Sequence, residues 1–202
     1  MKKLIRSCLF SKKNESIFIV SGLPRSGTSM MMKMLEAGGI EPLTDGVRTP
    51  DDDNPKGYYE YERVKKLKEG DYQWLREAQG KAVKIIATLL TYLPSYYSYR
   101  VLFMRRAVEE ILASQRKMLK NRGEFTDIDD NEMRKLFEKH LSQVYFFMNK
   151  NDNVRFLDVG YNQIIWDPES ILSKIQTFLA QSLDIEEMVK VIDPTLYRQR
   201  LE

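Results

Sequence analysis

A glycine-flanked loop between an apolar run and a helical pattern is the strongest constraint on how this chain can fold. The run Ile17–Val20 is apolar and rich in β-branched residues, which is typical of a strand covered on both faces of a parallel sheet. Gly22 and Gly27 bracket the loop that follows, and a helical pattern runs from Thr28 to Ala37. A strand, a glycine-containing loop and a helix in this order predict a phosphate site, because loop amides and the helix N-terminus both offer N–H groups to an anion.

The loop departs from the ATP-type loop G-x-x-x-x-G-K-[ST] at its basic residue. The two glycines have the ATP-type spacing, but Thr28 occupies the lysine position and Arg25 lies inside the loop. A missing loop lysine argues against ATP or GTP hydrolysis. The alternative to a phosphate site is a strand-to-helix turn that binds no ligand. The residues predicted to bind phosphate are Arg25, Ser26, Gly27, Thr28 and Ser29.

Strand and helix patterns alternate along the rest of the 202 residues. This alternation predicts one domain of α/β class, a three-layer P-loop-like fold with a central parallel sheet flanked by helices. Further strands are expected at residues 82–86, 99–104 and 154–159, and further helices at 62–78, 109–120, 131–149 and 168–180. Asp167 is the expected N-cap of the last helix, with Pro168 in its first turn.

Composition excludes several classes of protein. A net charge of +3 is too small to indicate a nucleic-acid partner. Cys8 is the only cysteine, so an intrachain disulfide and a cysteine-rich zinc site are both impossible. No apolar run reaches the length of a membrane helix, and the N-terminal apolar stretch is too short for a secretion signal. We therefore expect a cytoplasmic enzyme without a metal site and without a membrane partner.

The string Pro24-Arg25-Ser26-Gly27-Thr28-Ser29 after an apolar strand resembles the 5′-phosphosulfate loop of the sulfotransferases. In that family a lysine or arginine stands before Ser-Gly-Thr, and Arg25 fills this place. The resemblance implies that the donor is 3′-phosphoadenosine 5′-phosphosulfate (PAPS), that the product is adenosine 3′,5′-bisphosphate, and that the acceptor is a hydroxyl or amine. The expected acceptor is a small molecule, a glycan or a peptide.

A second family element is an arginine at the end of a strand and a serine eight residues later, which together hold the donor's 3′-phosphate. That spacing selects Arg106 and Ser114. Arg105 is the weaker candidate because nine residues separate it from the serine. The alternative for the arginine pair is a solvated helix face.

Two further segments are similar to family elements. Tyr161, after the fourth strand, matches the tyrosine of a Tyr-Glu-Asp segment and is expected near the adenine, although Asn162 replaces the first acid. Lys84 matches the lysine of the family's Lys-Thr-His segment, while Ile86 stands where cytosolic members have their catalytic histidine. Lys84 and Arg25 are suited to offset the charge that develops on the leaving phosphate. The C-terminal glycine-rich basic motif of the cytosolic animal members is absent; Arg198 or Arg200 could partly replace it.

Glu60 is the expected general base. Some sulfotransferases, including the tyrosylprotein and heparan N-sulfating groups, use a glutamate a few tens of residues after the phosphate loop, and Glu60 lies among tyrosines that could raise its proton affinity. Glu62 is the second choice. The single histidine, His140, falls in the apolar stripe of a helix and is better explained as structural. Two rival interpretations stay open: a P-loop kinase acting on a small molecule, and a catalytically silent nucleotide-binding protein.

Overall fold

Four parallel strands form the sheet of this protein. The computed structural model describes residues 16–47, 57–124 and 128–193, with only the backbone at residue 122. The strands are β1 (Ile17–Gly22), β2 (Ala82–Lys84), β3 (Tyr99–Arg105) and β4 (Val154–Gly160), in the spatial order β2-β1-β3-β4. All three pairings are parallel. The predicted α/β class and parallel sheet are confirmed.

Helices and short 3₁₀ segments cover both faces of the sheet. The helices are α1 (Thr28–Ala37), α2 (Val108–Arg122), α3 (Asp130–Lys150), α4 (Tyr161–Trp166), α5 (Pro168–Leu179) and α6 (Ile185–Lys190). Helices α1, α5 and α6 share one apolar cluster with the sheet, and α3 shares the other with the 3₁₀ segments. Two helical layers around one sheet therefore make the three layers that the sequence predicts. No helix in these described ranges is both long enough and apolar enough to cross a membrane.

The strand order creates a crevice beside β1. The chain crosses from β1 to β2 on one side and runs from β3 to β4 on the other, so the order reverses between β1 and β3. In open parallel sheets, ligands bind at such a switch point, outside the carboxyl ends of the strands. The register sets Gly22 beside Met104 and Arg105 beside Gly160 at this edge. Side chains from all the strand ends are thereby brought to one place.

The prediction of one continuous helix over residues 62–78 is wrong. The segment forms two 3₁₀ turns, Glu62–Glu69 and Gln73–Arg76, separated at Gly70, whose φ is 84°. Arg63 reaches across the break and donates two hydrogen bonds to Asp71, at 2.9 and 2.6 Å. Glycine adopts this left-handed conformation without the strain that a side chain would bring, so the helical pattern ends there. The short helices α4 and α6 were also not expected from the sequence.

Asp129 caps the N-terminus of α3. Its Oδ1 accepts hydrogen bonds from the backbone N–H groups of Asn131 and Glu132, at 2.7 and 2.9 Å. Those N–H groups have no partner within the helix, so a side-chain acceptor stabilises its first turn. The helix in turn contributes Phe137, Val144 and Met148 to the buried interior.

Replacing Asp129 with alanine is expected to lower the free energy of unfolding by about 1 kcal/mol, because the two amides lose their acceptor. Asp129→Asn keeps an oxygen at the cap and is the matched control, with a stability close to that of the wild type. Urea denaturation of the three proteins measures the difference. Equal losses in both variants would show that the carboxylate does not act as a cap.

Candidate functional site

The loop between β1 and α1 has the backbone geometry of an anion-binding turn. Arg25 and Gly27 both have positive φ, 67° and 97°. The backbone N–H and the hydroxyl of Ser26 donate to the Leu23 carbonyl at 3.2 and 2.7 Å, which closes the turn. Left-handed residues within such a turn direct successive N–H groups into a concave nest that suits an anion. Positive φ at a non-glycine residue costs free energy and is concentrated at functional sites.

Gly27 is required by its neighbour as well as by its φ. A Cβ atom at this position would lie 2.5 Å from Cδ2 of Tyr161, well inside van der Waals contact. The aromatic ring therefore packs directly against the loop backbone at the start of α1. A side chain at residue 27 would push the loop away from the ring.

Arg25 crosses the crevice from the loop to α2. Its Nε donates to the hydroxyl of Ser114 at 3.0 Å, and the two residues are 89 positions apart in the chain. The basic residue of the predicted 5′-phosphosulfate loop and the predicted 3′-phosphate serine are thus in direct contact. Ser114 is buried, with 8% of its surface exposed.

Arg106 touches the loop from the other end of the same crevice. Its Nη1 donates to the backbone carbonyl of Arg25 at 3.2 Å, and its Nε donates to Oε2 of Glu110 at 2.7 Å. The guanidinium carbon lies 4.7 Å from the centre of the Tyr161 ring, a cation–π distance. A solvated helix face is excluded for this arginine, because only 7% of its side chain is exposed.

Tyr161 lies beneath the loop, between Gly27 and Arg106. The residue is 5% exposed. Burial raises the pKa of its hydroxyl, and the positive charges of Arg106 and Arg25 partly oppose that rise. The structure therefore gives the ring a supporting role for the loop, while its contact with an adenine stays a prediction.

Lys84 and Glu60 form a second group of charges beside the start of α1. Nζ of Lys84 lies 3.8 Å from Oε1 of Glu60 and 3.4 Å from the hydroxyl of Ser29. It also donates a hydrogen bond to the Tyr58 carbonyl, which accepts from Ser29 as well, at 3.4 Å. The lysine and glutamate side chains are 10% and 24% exposed, so both are partly buried and the glutamate is the more accessible of the two.

The backbone around Glu60 is held in place by two neighbouring segments. The Glu60 carbonyl accepts from Thr44 Oγ1 at 2.9 Å and from the Asp45 N–H at 3.3 Å. Tyr59, directly before it, has a positive φ of 53°, and its hydroxyl donates to Glu36 on α1. Burial, with Glu36 as the second cause, raises the pKa of the Tyr59 hydroxyl, so it stays protonated as the donor. The carboxylate therefore follows a strained and anchored residue.

The other candidates lie elsewhere. Glu62 pairs with Lys65 at 2.7 Å on an exposed surface. His140 lies partly buried on α3, and Arg105 donates to the hydroxyl of Tyr145 at 2.6 Å rather than to the loop. Thr28 is the first residue of α1. Arg198 and Arg200 lie outside the described residues.

The sequence analysis does not predict that Glu110 and the Tyr58 carbonyl belong to the site. Glu110 could have been found, since it lies four residues after Arg106 on a helical pattern, the spacing of an ion pair along a helix face. The carbonyl could not, because a backbone acceptor leaves no signal in the sequence. Among the described residues, the site brings Arg25, Lys84 and Arg106 to one edge of the sheet together with the hydroxyls of Ser29 and Ser114.

Comparisons with known proteins place the fold. No protein-family model matches the chain, and no curated protein matches it. Among solved structures, it is similar to the sulfotransferase STF1 from Mycobacterium tuberculosis H37Rv, with a TM-score of 0.60 and 17% identity over 92% of this chain and 74% of that one. It is also similar to the sulfotransferase domain from the Synechococcus PCC 7002 olefin synthase, with a TM-score of 0.52, 14% identity, and coverage of 93% and 81%.

A third neighbour is the sulfotransferase domain from the curacin biosynthetic pathway, with a TM-score of 0.51, 16% identity, and coverage of 89% and 78%. The three neighbours share one fold with this chain, and it is the fold of sulfotransferases. The expected resemblance is therefore confirmed at the level of the fold.

Gly27→Ala is expected to lower the free energy of unfolding at least twice as much as Gly70→Ala. Both positions have positive φ, which costs about 1–2 kcal/mol for an alanine. Only at Gly27 does the new Cβ also meet a ring, since nothing lies within 4 Å at Gly70. Urea denaturation compares the two variants, and equal losses would mean that the Tyr161 ring moves aside without cost.

Proposed function

We propose that this protein is a sulfotransferase that moves a sulfuryl group from PAPS to a hydroxyl or amine of a small molecule, glycan or peptide in the cytoplasm. The observation that carries the proposal is the hydrogen bond between Arg25 and Ser114. It joins the loop suited to a 5′-phosphosulfate with the pair suited to a 3′-phosphate. A ligand that carries phosphate at both positions fits this arrangement better than a nucleoside triphosphate.

The residues present fit such a ligand in shape and in charge. Positive φ at Arg25 and Gly27 gives the loop a concave backbone that suits an anion. A Cβ atom at Gly27 would collide with the Tyr161 ring. Arg25 and Arg106 offer guanidinium groups, which match phosphate oxygens in a forked geometry. In this proposal, the loop residues from Arg25 to Ser29 hold the 5′ group, and Arg106 with Ser114 holds the 3′-phosphate.

When bound, PAPS would supply a sulfuryl group: its S–O bond to the 5′-phosphate breaks as sulfur bonds to the acceptor oxygen or nitrogen, and adenosine 3′,5′-bisphosphate leaves. Lys84 and Arg25 stabilise the negative charge left on the phosphate side, because fixed cations in a partly buried site need no reorganisation during the reaction. Lys84 is suited to this role, since its Nζ lies 3.4 Å from the Ser29 hydroxyl at the start of α1.

Glu60 takes the proton of the acceptor hydroxyl or amine. Its Oε1 lies 3.8 Å from Nζ of Lys84 and its side chain is 24% exposed, so an acceptor can reach it from solvent. A general base has to lie within reach of the reacting centre, and Glu60 is the carboxylate that the structure holds against the predicted transfer lysine. Glu62 points to Lys65 instead.

Binding of adenosine 3′,5′-bisphosphate should raise the melting temperature more than ADP or Mg-ATP does. At a concentration 100 times the Kd, a ligand stabilises the folded state by about 2.7 kcal/mol, roughly 5–10 °C for a chain of this size. Thermal denaturation with each nucleotide at equal concentration is the measurement. A larger shift with Mg-ATP would favour a kinase. Bisphosphate binding without sulfated product from a panel of phenols, sugars and amines would favour a silent nucleotide-binding protein.

Glu60→Gln is expected to lower turnover by about 100-fold or more while leaving bisphosphate affinity nearly unchanged, because the amide cannot accept the proton. Turnover is measured as sulfated product from the acceptor of that panel that reacts fastest. Glu62→Gln is the matched control and should keep wild-type turnover, since its carboxylate pairs with Lys65. Unchanged turnover in Glu60→Gln would show that Glu60 is not the general base.

A further inference from the structure

We infer that Glu110 is a positioning residue that sets the orientation of Arg106 and thereby gives the site its preference for a 3′-phosphate. This inference rests on the proposed function. It concerns a buried carboxylate to which the transfer reaction assigns no role. Glu110 is 2% exposed and is the third residue of α2.

The Arg106–Glu110 pair is nearly closed to solvent. The exposed fractions of the two side chains are 7% and 2%, and Nε lies 2.7 Å from Oε2. Removing two charges from water is costly, and a well-packed apolar pair is often at least as stable as a buried ion pair. A buried pair at the edge of a ligand site is therefore better explained by the geometry it imposes than by stability alone.

Contacts from several directions hold the guanidinium plane of Arg106. Glu110 accepts from Nε, the Arg25 carbonyl accepts from Nη1, and the Tyr161 ring covers one face. Two of these partners, the carbonyl and the ring, touch the phosphate loop itself. Glu110 is the one that ties Arg106 to α2. An arginine side chain has many rotamers, so a fixed partner at Nε reduces the conformational entropy lost when a phosphate binds.

Glu110 and Ser114 act on the two arginines from one face of α2. They are four residues apart, which sets them one above the other on the helix. Glu110 holds Arg106, Ser114 contacts Arg25, and Arg106 contacts the Arg25 carbonyl. One turn of α2, between Glu110 and Ser114, therefore sets the distance between the two arginines that are proposed to face the phosphates.

The sign of the effect separates this role from a plain electrostatic one. A carboxylate near a phosphate repels it, so its removal should tighten binding if Glu110 acts only through its charge. If Glu110 positions Arg106, its removal should weaken binding of the 3′-phosphate in spite of the lost repulsion. The two possibilities therefore predict opposite changes in the same quantity.

The test measures the affinities of purified full-length variants for adenosine 3′,5′-bisphosphate and for 5′-AMP, which lacks the 3′-phosphate, by isothermal titration calorimetry. We expect the ratio of the two affinities to fall about tenfold in Glu110→Met, which removes the acceptor at similar size. We expect a fall of about threefold in Glu110→Gln, whose amide oxygen can still accept from Nε without charge. Affinity for 5′-AMP should change little in either variant.

Glu109→Gln and Glu109→Met are the matched controls, because Glu109 lies on the same turn of α2 and pairs outward with Arg134. Their affinity ratios should equal that of the wild type. An unchanged or increased ratio in Glu110→Gln overturns the inference, even if Glu110→Met does not fold. A wild-type protein that binds 5′-AMP as tightly as the bisphosphate would instead refute the proposed donor, before any variant is compared.

Discussion

The position of β1 determines where the loop of the candidate site begins. β1 is paired on both sides, to β2 and to β3, and each of its six residues is buried. A strand enclosed in this way cannot shift its register without exposing apolar side chains and breaking two hydrogen-bond ladders. The point where it ends is therefore fixed, and so is the loop that turns from Gly22 into α1.

The crevice beside β1 is bridged by side chains rather than by backbone. Arg25 reaches α2 at Ser114, and Arg106 reaches back to the Arg25 carbonyl. Single exposed ion pairs contribute little to stability, but these contacts lie where water is largely excluded. Since the bridge joins elements that follow two different strands, it links the loop conformation to the position of α2.

The local features of the site could be predicted from the sequence, because they depend on spacing within one element. The phosphate loop follows from a strand, two glycines and a helix. The resemblance to the sulfotransferases selects Arg106 and Ser114 by their eight-residue spacing, and their phosphate role stays a prediction. The structure confirms Asp167 as the N-cap with Pro168 in the first turn of α5. In each case the residues that define the feature are close in the chain.

Some of the features that the sequence did not predict depend on contacts between distant segments. The approach of Lys84 to the Tyr58 carbonyl joins a strand end to a loop, and no periodicity reports it. The prediction of one helix over residues 62–78 is wrong because the apolar pattern continues through Gly70, where the structure breaks. An ion pair between Arg63 and Asp71 stabilises this break. Propensity and period describe one segment at a time, and tertiary contacts decide such cases.

The two halves of the site differ in what holds them. The half assigned to the phosphates rests on β1, α1 and α2, and its arginines are braced by Glu110 and Ser114. The half assigned to the acceptor rests on Glu60, which belongs to no strand or helix and is fixed by the segment at Thr44 and Asp45. Regular elements hold reacting groups more precisely than loops do. In the proposed function, a donor half held by regular elements beside a loop-borne acceptor half would allow the acceptor to change by loop variation while the sulfuryl group stays in one place.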